Sequence, residues 1–183
     1  VIKINKNNNL IIKMVKASSN LGYGGGIKKG IENSNGEYIA WTHADLQTPL
    51  KDLYKLYNCM KDNKFSFGKG HRSNNRGYDG IVSRFHEKCA SIVLGENMKE
   101  INAQPKMFHK SLVKHFVKIP VNWTVIDTYV YYTALRRKIE ICEIDVIFKN
   151  RIYGFSKWKT NYRIFFKHLF FNFVYLFKLK FFD

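Results

Sequence analysis

The stretch Asn35 to Pro49, NGEYIAWTHADLQTP, decides how the rest of the chain is interpreted. Its apolar run, Tyr38 to Trp41, leads into polar side chains at alternate positions, namely His43, Asp45 and Gln47. Alternate residues of an extended chain point to the same side, so these three side chains could converge on one ion. In an open α/β sheet, ligands bind at the carboxyl ends of the strands. The same pattern also fits a polar turn in which Asp45 caps the next helix.

Segments with the apolar spacing of strands and helices alternate along the chain. The predicted strands are Leu10–Val15, Glu37–Thr42, Phe65–Gly68, Ala103–Phe108 and Ile139–Phe148. The predicted helices are Ile27–Asn33, Leu50–Asp62, Ile81–Leu94 and Ile126–Arg137. This alternation predicts an α/β fold with a Rossmann-like, mainly parallel sheet flanked by helices.

The charge of the chain points to an anionic partner. The 183 residues include 31 Lys and Arg against 14 Asp and Glu, a net charge of +17. Nucleic acid, a phosphorylated ligand and a membrane surface would each suit such a protein. The chain contains no recognisable nucleic-acid-binding motif, so a basic nucleic-acid-binding module is the least favoured of these alternatives.

The C-terminal segment, residues 161–183, is predicted to be a basic amphipathic helix that follows a single domain at 1–160. The segment from Tyr162 to Phe182 combines phenylalanines and leucines with Lys167, His168, Asn172, Lys178 and Lys180. As a helix at 1.5 Å per residue it would be about 30 Å long. Such a helix can lie on an anionic membrane surface. The alternative is an ordinary helix of the core. No uninterrupted apolar run of about 20 residues is present, so we do not expect a simple spanning helix.

The three cysteines, Cys59, Cys89 and Cys142, are odd in number and widely spaced. This pattern predicts unbridged thiols in a reducing, cytosol-facing environment.

Several residues have the chemistry of a metal and phosphate site. Asp45 and Gln47, with His43, suit Mg²⁺ or Mn²⁺, which is commonly held by one or two carboxylates together with substrate phosphates. The candidate phosphate ligands, each in or beside a Gly- or Ser-containing loop or a helix start, are Arg72, Arg84, Arg151 and Lys157. A solvated basic surface is the alternative for those four.

Two further motifs leave alternatives open. The glycines of Gly22 to Gly26 precede a predicted helix, so their N–H groups could face an anion, or they could form a tight turn. Asp127 opens an otherwise apolar helix. It could be an acid favoured by the helix dipole, a general base, or a group that orients an acceptor.

Taken in order, these motifs resemble the family 2 glycosyltransferases of GT-A fold, particularly the branch of dolichyl- and polyprenyl-phosphate sugar synthases. The motifs that carry the resemblance are LGYGGGIKKGI, NGEYIAWTHADLQTP, INAQPKMFHKSL, VIDTYVYYTALRRK and RIYGFSKWKT. The resemblance implies a metal-dependent enzyme that moves a sugar, with inversion, from a GDP- or UDP-linked donor. It implies a lipid-phosphate acceptor, and hence a peripheral location on the cytoplasmic face of a membrane.

The resemblance also assigns roles to residues. Ala44 and Asp45 are expected to contact the nucleotide sugar, and Asp45 and Gln47 to bind the metal, with His43 in place of a first acid. Asp127 matches an acidic position near the acceptor. Arg72, Arg84, Arg151 and Lys157 are expected to reach phosphates.

The family domain normally begins with a strand, an Asn-Glu turn and an acidic strand end, which have no counterpart here. We therefore expect an N-terminally incomplete domain, with a catalytically inactive remnant as the alternative.

Overall fold

The computed structural model describes residues 14–45, 47–74, 77–120, 125–149 and 162–182. Within these ranges the protein has a mixed α/β fold with four strands and six α-helices, which confirms the predicted fold class. The predicted strand Leu10–Val15 lies mostly outside the described residues, and residues 14 and 15 are not part of a strand.

The sheet is mixed. Its strands are β1 (Tyr38–Trp41), β2 (Phe67–Arg72), β3 (Lys106–His109) and β4 (Ile141–Val146), in the order β1-β3-β2-β4. β3 runs antiparallel to both β1 and β2, and β4 runs parallel to β2. The prediction of a mainly parallel sheet is therefore wrong, because β3 lies between β1 and β2 and runs antiparallel to both. The carboxyl ends of β1, β2 and β4 and the amino end of β3 therefore meet at one edge of the sheet.

The helices agree with the apolar periodicity except at the glycine-rich segment. They are α1 (Gly22–Glu32), α2 (Lys51–Asp62), α3 (Tyr78–Leu94), α4 (Val113–Phe116), α5 (Ile126–Arg136) and α6 (Tyr162–Lys180), with a 3₁₀ turn at Lys110–Leu112. α1 begins five residues earlier than predicted, at Gly22 instead of Ile27. The N–H of Gly22 donates to Oδ1 of Asn20 at 2.9 Å, so the glycines are helical and this N–H already has a partner.

Helices cover both faces of the sheet. α2 covers one face, where Leu56 and Met60 pack with Met107 and Cys142. The remaining helices cover the other face, whose larger core includes contacting aromatic rings. The centroid of the Phe116 ring lies 4.9 Å from that of Phe108 and 5.8 Å from that of Phe67.

β2 continues four residues beyond the predicted strand end, through a basic Gly-containing segment predicted as a loop. Its glycines permit two close approaches. A Cβ on Gly68 would lie 2.7 Å from Sδ of Met60 in α2, and one on Gly70 would lie 2.5 Å from the carbonyl oxygen of Gln104. The strand is therefore packed tightly between α2 and the segment that leads into β3.

Cys59 of α2 and Cys142 of β4 form a disulfide, and Cys89 is free. This corrects the prediction of unbridged thiols. An odd cysteine count and wide spacing carry no information about which side chains the fold brings together, and these two are 83 residues apart in sequence. The cysteine count therefore no longer supports a reducing compartment.

α6 has a buried side and an exposed, phenylalanine-rich side. Leu176 and Leu179 are buried in the larger core, and the ring of Phe173 contacts that of Phe85 in α3. The exposed phenylalanines of the helix and its end are Phe166, Phe170, Phe171, Phe177 and Phe181. No helix in the described ranges has the length and apolarity to cross a membrane.

Candidate active site

The turn after β1 is hydrogen-bonded to the segment after β4. Oδ1 of Asp45 accepts a hydrogen bond from the backbone N–H of Gln47 at 3.2 Å. The side-chain amide of Gln47 donates to the carbonyl of Lys149 at 3.0 Å, and the N–H of Lys149 donates to the carbonyl of Gln47 at 2.8 Å. α2 starts only at Lys51 and has no side-chain cap. Asp45 therefore closes a local turn and does not cap the helix.

Asp127 lies in the first turn of α5 and is 4% exposed. Its Oδ1 accepts from Nζ of Lys106 at 2.6 Å and from Nε2 of Gln104 at 3.0 Å. The same Gln104 amide donates to the hydroxyl of Tyr23 at 3.2 Å. We call these four residues, Tyr23, Gln104, Lys106 and Asp127, the Asp127 cluster.

The sheet edge explains how the cluster assembles. Lys106 is the first residue of β3 and is paired with Trp41, the last residue of β1. Gln104 lies just before β3, so it reaches the same edge as the turn after β1. Tyr23 comes from α1, where its ring is 44% exposed while its hydroxyl points inward to Gln104.

Burial sets the protonation of the cluster. Burial lowers the pKa of Lys106 to about 8, although the Asp127 carboxylate opposes the shift, and the charges of Lys69 and Arg72 lower it further. Burial, followed by the charge and hydrogen bond of Asp127, raises the pKa of Tyr23 well above its usual range. Tyr23 therefore remains a hydrogen-bond donor at any physiological pH.

His43 connects the turn after β1 with the Asp127 cluster. Burial lowers the pKa of His43, which the carboxylates of Asp127 and Asp45 partly oppose. The cations Lys106 and Arg72 lower it further. His43 follows Trp41 by two residues, and Trp41 is paired with Lys106, the partner of Asp127. The HADLQ turn and Asp127 therefore lie at the same edge of the sheet.

Arg72 supplies a guanidinium at the same edge. It is 9% exposed at the end of β2, and its Nε is ion-paired with Glu100. Its Cζ lies 5.9 Å from the ring centroid of Phe148, which is 6.1 Å from that of His43. Within the described part of the chain, Nη2 of Arg72 and Oε1 of Gln104 are buried without a hydrogen-bond partner. Buried polar atoms of this kind usually have partners, so a polar ligand here would satisfy them.

The other predicted residues lie elsewhere or outside the described ranges. Ala44 is exposed in the turn beside Asp45. Arg84 is exposed on α3 and, in the described ranges, makes no hydrogen bond or ion pair with the cluster. Arg151 and Lys157 lie outside the described residues, so their roles stay predictions.

The donor set fits a divalent cation only in combination with a ligand. Among the described residues, no group of three or more His, Cys, Asp and Glu side chains could hold a metal ion. Asp45 nevertheless offers one carboxylate, and the lowered pKa of His43 favours the neutral imidazole that binds metals. Mg²⁺ characteristically uses one or two carboxylates together with substrate phosphates. His43, Asp45 and Gln47 would be the residues that hold it.

Three residues of the candidate site were not predicted from the sequence. Gln104 and Lys106 lie within the motif INAQPKMFHKSL, but no role was assigned to either residue. A lysine at the start of an apolar strand, directly after Pro105, is the signal that could have identified Lys106. Tyr23 lies in the glycine-rich segment, where the glycines indicate a role for the backbone N–H groups and nothing in the pattern indicates a role for a side chain.

Most of the chain is similar to known proteins. The sequence model of the family described as glycosyl transferase family 2 matches residues 2–142. A dolichyl-phosphate beta-glucosyltransferase from Dictyostelium discoideum is 25% identical over 149 residues, covering 74% of this chain and 45% of that protein. The chain thus spans less than half the length of this relative.

Proposed function

The chain belongs to glycosyl transferase family 2, and on that premise we propose that it transfers a hexose from a GDP- or UDP-linked donor to a polyprenyl or dolichyl phosphate at a membrane surface. The observation that carries the proposal is the position of the ion pair between Asp127 and Lys106, whose charged atoms are 2.6 Å apart. Lys106 is paired with Trp41, directly before the HADLQ turn, and Arg72 ends β2 at the same edge of the sheet. Separate motifs from three strand ends and one helix start thereby form a single charged site. The diphosphate of a nucleotide-sugar donor is the ligand group that such a mixture of acidic and basic side chains suits.

The donor would bind at the turn after β1. Arg72 presents a buried Nη2 without a partner in the described ranges, and a guanidinium binds phosphate oxygens in a fork. Asp45, with His43 and Gln47, would hold Mg²⁺ or Mn²⁺. When bound, that ion supplies neutralisation of the negative charge on the leaving diphosphate.

The acceptor would approach Asp127. An oxygen of the acceptor would attack the anomeric carbon as its bond to the diphosphate breaks, which inverts the configuration. Oδ1 of Asp127 is already contacted by Lys106 and Gln104, an arrangement suited to a positioning role. A lipid phosphate needs little base catalysis because it is already anionic near neutral pH, and the name of the Dictyostelium relative agrees with that acceptor.

A peripheral location at a membrane surface is part of the proposal. It is supported by the net charge of +17 and by the exposed phenylalanines of α6. Apolar rings can enter the interface while basic side chains meet anionic headgroups.

Transfer of labelled sugar to dolichyl phosphate tests the proposed reaction. We expect wild-type transfer with a GDP- or UDP-sugar and Mn²⁺, and a loss of about 100-fold or more in Asp45→Asn. Asp52→Asn is the matched control, since Asp52 is a buried acid of α2 that is paired with Lys55 and is not part of the Asp127 cluster. No transfer by the wild-type chain with any such donor would favour the inactive remnant.

Flotation with anionic vesicles tests the membrane part. We expect weaker vesicle binding by Phe166→Ser/Phe170→Ser, with little change in the free energy of unfolding, because both rings are exposed. Leu176→Ala should lower the free energy of unfolding and leave vesicle binding nearly unchanged, because Leu176 is buried in the core. Unchanged vesicle binding by the phenylalanine variant would contradict the proposed location.

A further inference from the structure

A cavity is present outside the residues that form the site around His43. It has a volume of about 190 Å³ and is formed by the α4 region, α5 and the chain end after α6. The residues that line this basic pocket are His115, Lys118, Tyr129, Tyr132, Thr133, Arg136, Arg137 and Phe182. None of them belongs to the Asp127 cluster. The volume is below the roughly 300 Å³ of a typical small-molecule site, and it suits a small headgroup better than a nucleotide sugar.

The lining of the pocket is cationic. Lys118, Arg136 and Arg137 contribute three positive charges, and no Asp or Glu is among the lining residues. Burial and the charges of Arg137, Lys114 and Lys118 lower the pKa of His115. Its imidazole is therefore mainly neutral at pH 7, and it adds a polar edge more than a charge.

Three polar groups of the pocket lie on α5 or directly after it. Thr133 and Arg136 are three residues apart on α5, and Arg137 follows the last residue of the helix, four residues from Thr133, so both arginines lie near Thr133. The guanidinium carbon of Arg136 lies 5.9 Å from the ring centroid of Tyr132. The hydroxyl of Tyr129 donates to the carbonyl of His115 at 2.6 Å, which ties α5 to α4. Two guanidinium groups and a hydroxyl beside one another match the oxygens of a phosphate group.

An apolar groove adjoins the pocket. Phe182 lines both, and the groove, with a volume of about 400 Å³, is otherwise lined by Phe177, Lys178 and Phe181. The side chains of Phe177 and Phe181 are 54% and 83% exposed. A molecule with a phosphate head and an apolar tail would meet a matching surface at each end.

We propose that the basic pocket binds the terminal phosphate monoester of an anionic phospholipid such as phosphatidic acid, whose acyl chain enters the groove beside Phe182. This site is separate from the proposed sugar-transfer site at His43 and Asp127. It rests on the proposed membrane association, to which it would add selectivity for a lipid with a terminal phosphate monoester.

The test is vesicle co-sedimentation of the full chain. Vesicles of phosphatidylcholine with phosphatidic acid are compared with vesicles of phosphatidylcholine with enough phosphatidylglycerol to give the same surface charge. The pocket variant is Lys118→Gln/Arg136→Gln/Arg137→Gln, in which all three side chains are exposed. The matched control is Lys51→Gln/Lys55→Gln/Lys61→Gln on α2, on the opposite face of the sheet, where the side chains are also exposed.

We expect tighter binding to phosphatidic acid than to phosphatidylglycerol, and a loss of more than about tenfold in the pocket variant but not in the α2 control. Thr133→Val keeps charge and volume but removes one hydroxyl donor. It should reduce binding to phosphatidic acid about threefold, the value of one modest hydrogen bond, with no change for phosphatidylglycerol. Thermal unfolding of each variant verifies that it is folded.

Three results would overturn the proposal. Equal affinity for the two lipids would indicate diffuse electrostatic attraction, and equal losses in the two triple variants would exclude a specific pocket. Saturable binding of inorganic phosphate by the pocket, with no effect of the pocket variant on vesicles, would assign it to a soluble phosphate. In each case labelled-sugar transfer and the effect of Phe166→Ser/Phe170→Ser would stand unchanged, so failure of this inference is distinguishable from failure of the proposed function.

Discussion

At the scale of the residue, Asp127 and Lys106 depend on each other. Both are almost fully buried, and their charged atoms are 2.6 Å apart. The sequence identified Asp127 because an acid at the start of an apolar helix is conspicuous. It could not identify its partner, because Lys106 is one of 31 basic residues and burial is not visible in a one-dimensional pattern.

Asp127→Asn should destabilise the fold strongly. The substitution leaves the buried ammonium of Lys106 without a counter-charge, which typically costs about 3–5 kcal/mol in the free energy of unfolding. Asp52→Asn should cost less, about 1 kcal/mol or below, because its partner Lys55 is largely exposed. Urea denaturation of both variants makes the comparison. Equal losses would contradict the account of the ion pair.

Lys106 should also make stability depend on pH. The pKa of its side chain is about 8 in the folded chain and near 10.4 in an unfolded one. Between these values the unfolded state binds more protons, so this lysine makes the fold more stable as the pH rises from about 8 to 10. The free energy of unfolding of wild type relative to Lys106→Met should rise over that window. A flat or falling difference would show that burial does not disfavour the charge of Lys106.

At the scale of the element, the apolar periodicity predicted the helices that pack against the sheet with one face. α2, α3 and α5 lie within three residues of their expected bounds, because each presents a stripe of apolar side chains to the sheet. The strand order, the length of β2 and the disulfide were not predictable in this way. They depend on contacts between distant segments, which local spacing does not encode.

Gly70→Ala should damage the candidate site through its backbone. The added Cβ would lie 2.5 Å from the carbonyl oxygen of Gln104, so the segment that carries Gln104 must shift. Such overpacking typically costs about 1–3 kcal/mol. Gly30→Ala, in α1, is the matched control, since a Cβ there meets nothing within 4 Å. Thermal unfolding should show a loss for the first and no loss for the second; two equal changes would contradict this close approach.

The disulfide between α2 and β4 should contribute measurably to stability. Closing a loop of 83 residues is expected to stabilise the fold by about 2–4 kcal/mol. Thiol titration of the native, non-reduced protein should find one free cysteine, Cys89, and a reductant should lower the melting temperature. Cys59→Ala/Cys142→Ala should melt like the reduced wild type. Three titratable thiols in the unreduced protein would contradict the bridge.

At the scale of the whole molecule, one edge of the sheet gathers motifs that are far apart in sequence. Tyr23, His43, Arg72, Gln104 and Asp127 reach it from different elements because β3 enters reversed between β1 and β2. The ordered motifs were sufficient to identify the family, and the family match confirms it. The sequence could not reveal that the HADLQ turn lies beside Lys106 and Asp127, because that position follows from the pairing of β1 with β3.

The central claim is that the HADLQ turn and the Asp127 cluster form one metal-dependent site for a nucleotide sugar. Calorimetric titration of GDP- and UDP-sugars, with and without Mn²⁺, tests it most directly in wild type, Asp45→Asn and Asp52→Asn. We predict Mn²⁺-dependent binding of one nucleotide class that is lost in Asp45→Asn and retained in Asp52→Asn. Unchanged Mn²⁺-dependent binding in Asp45→Asn, or the absence of any Mn²⁺-dependent heat in wild type, would contradict the claim.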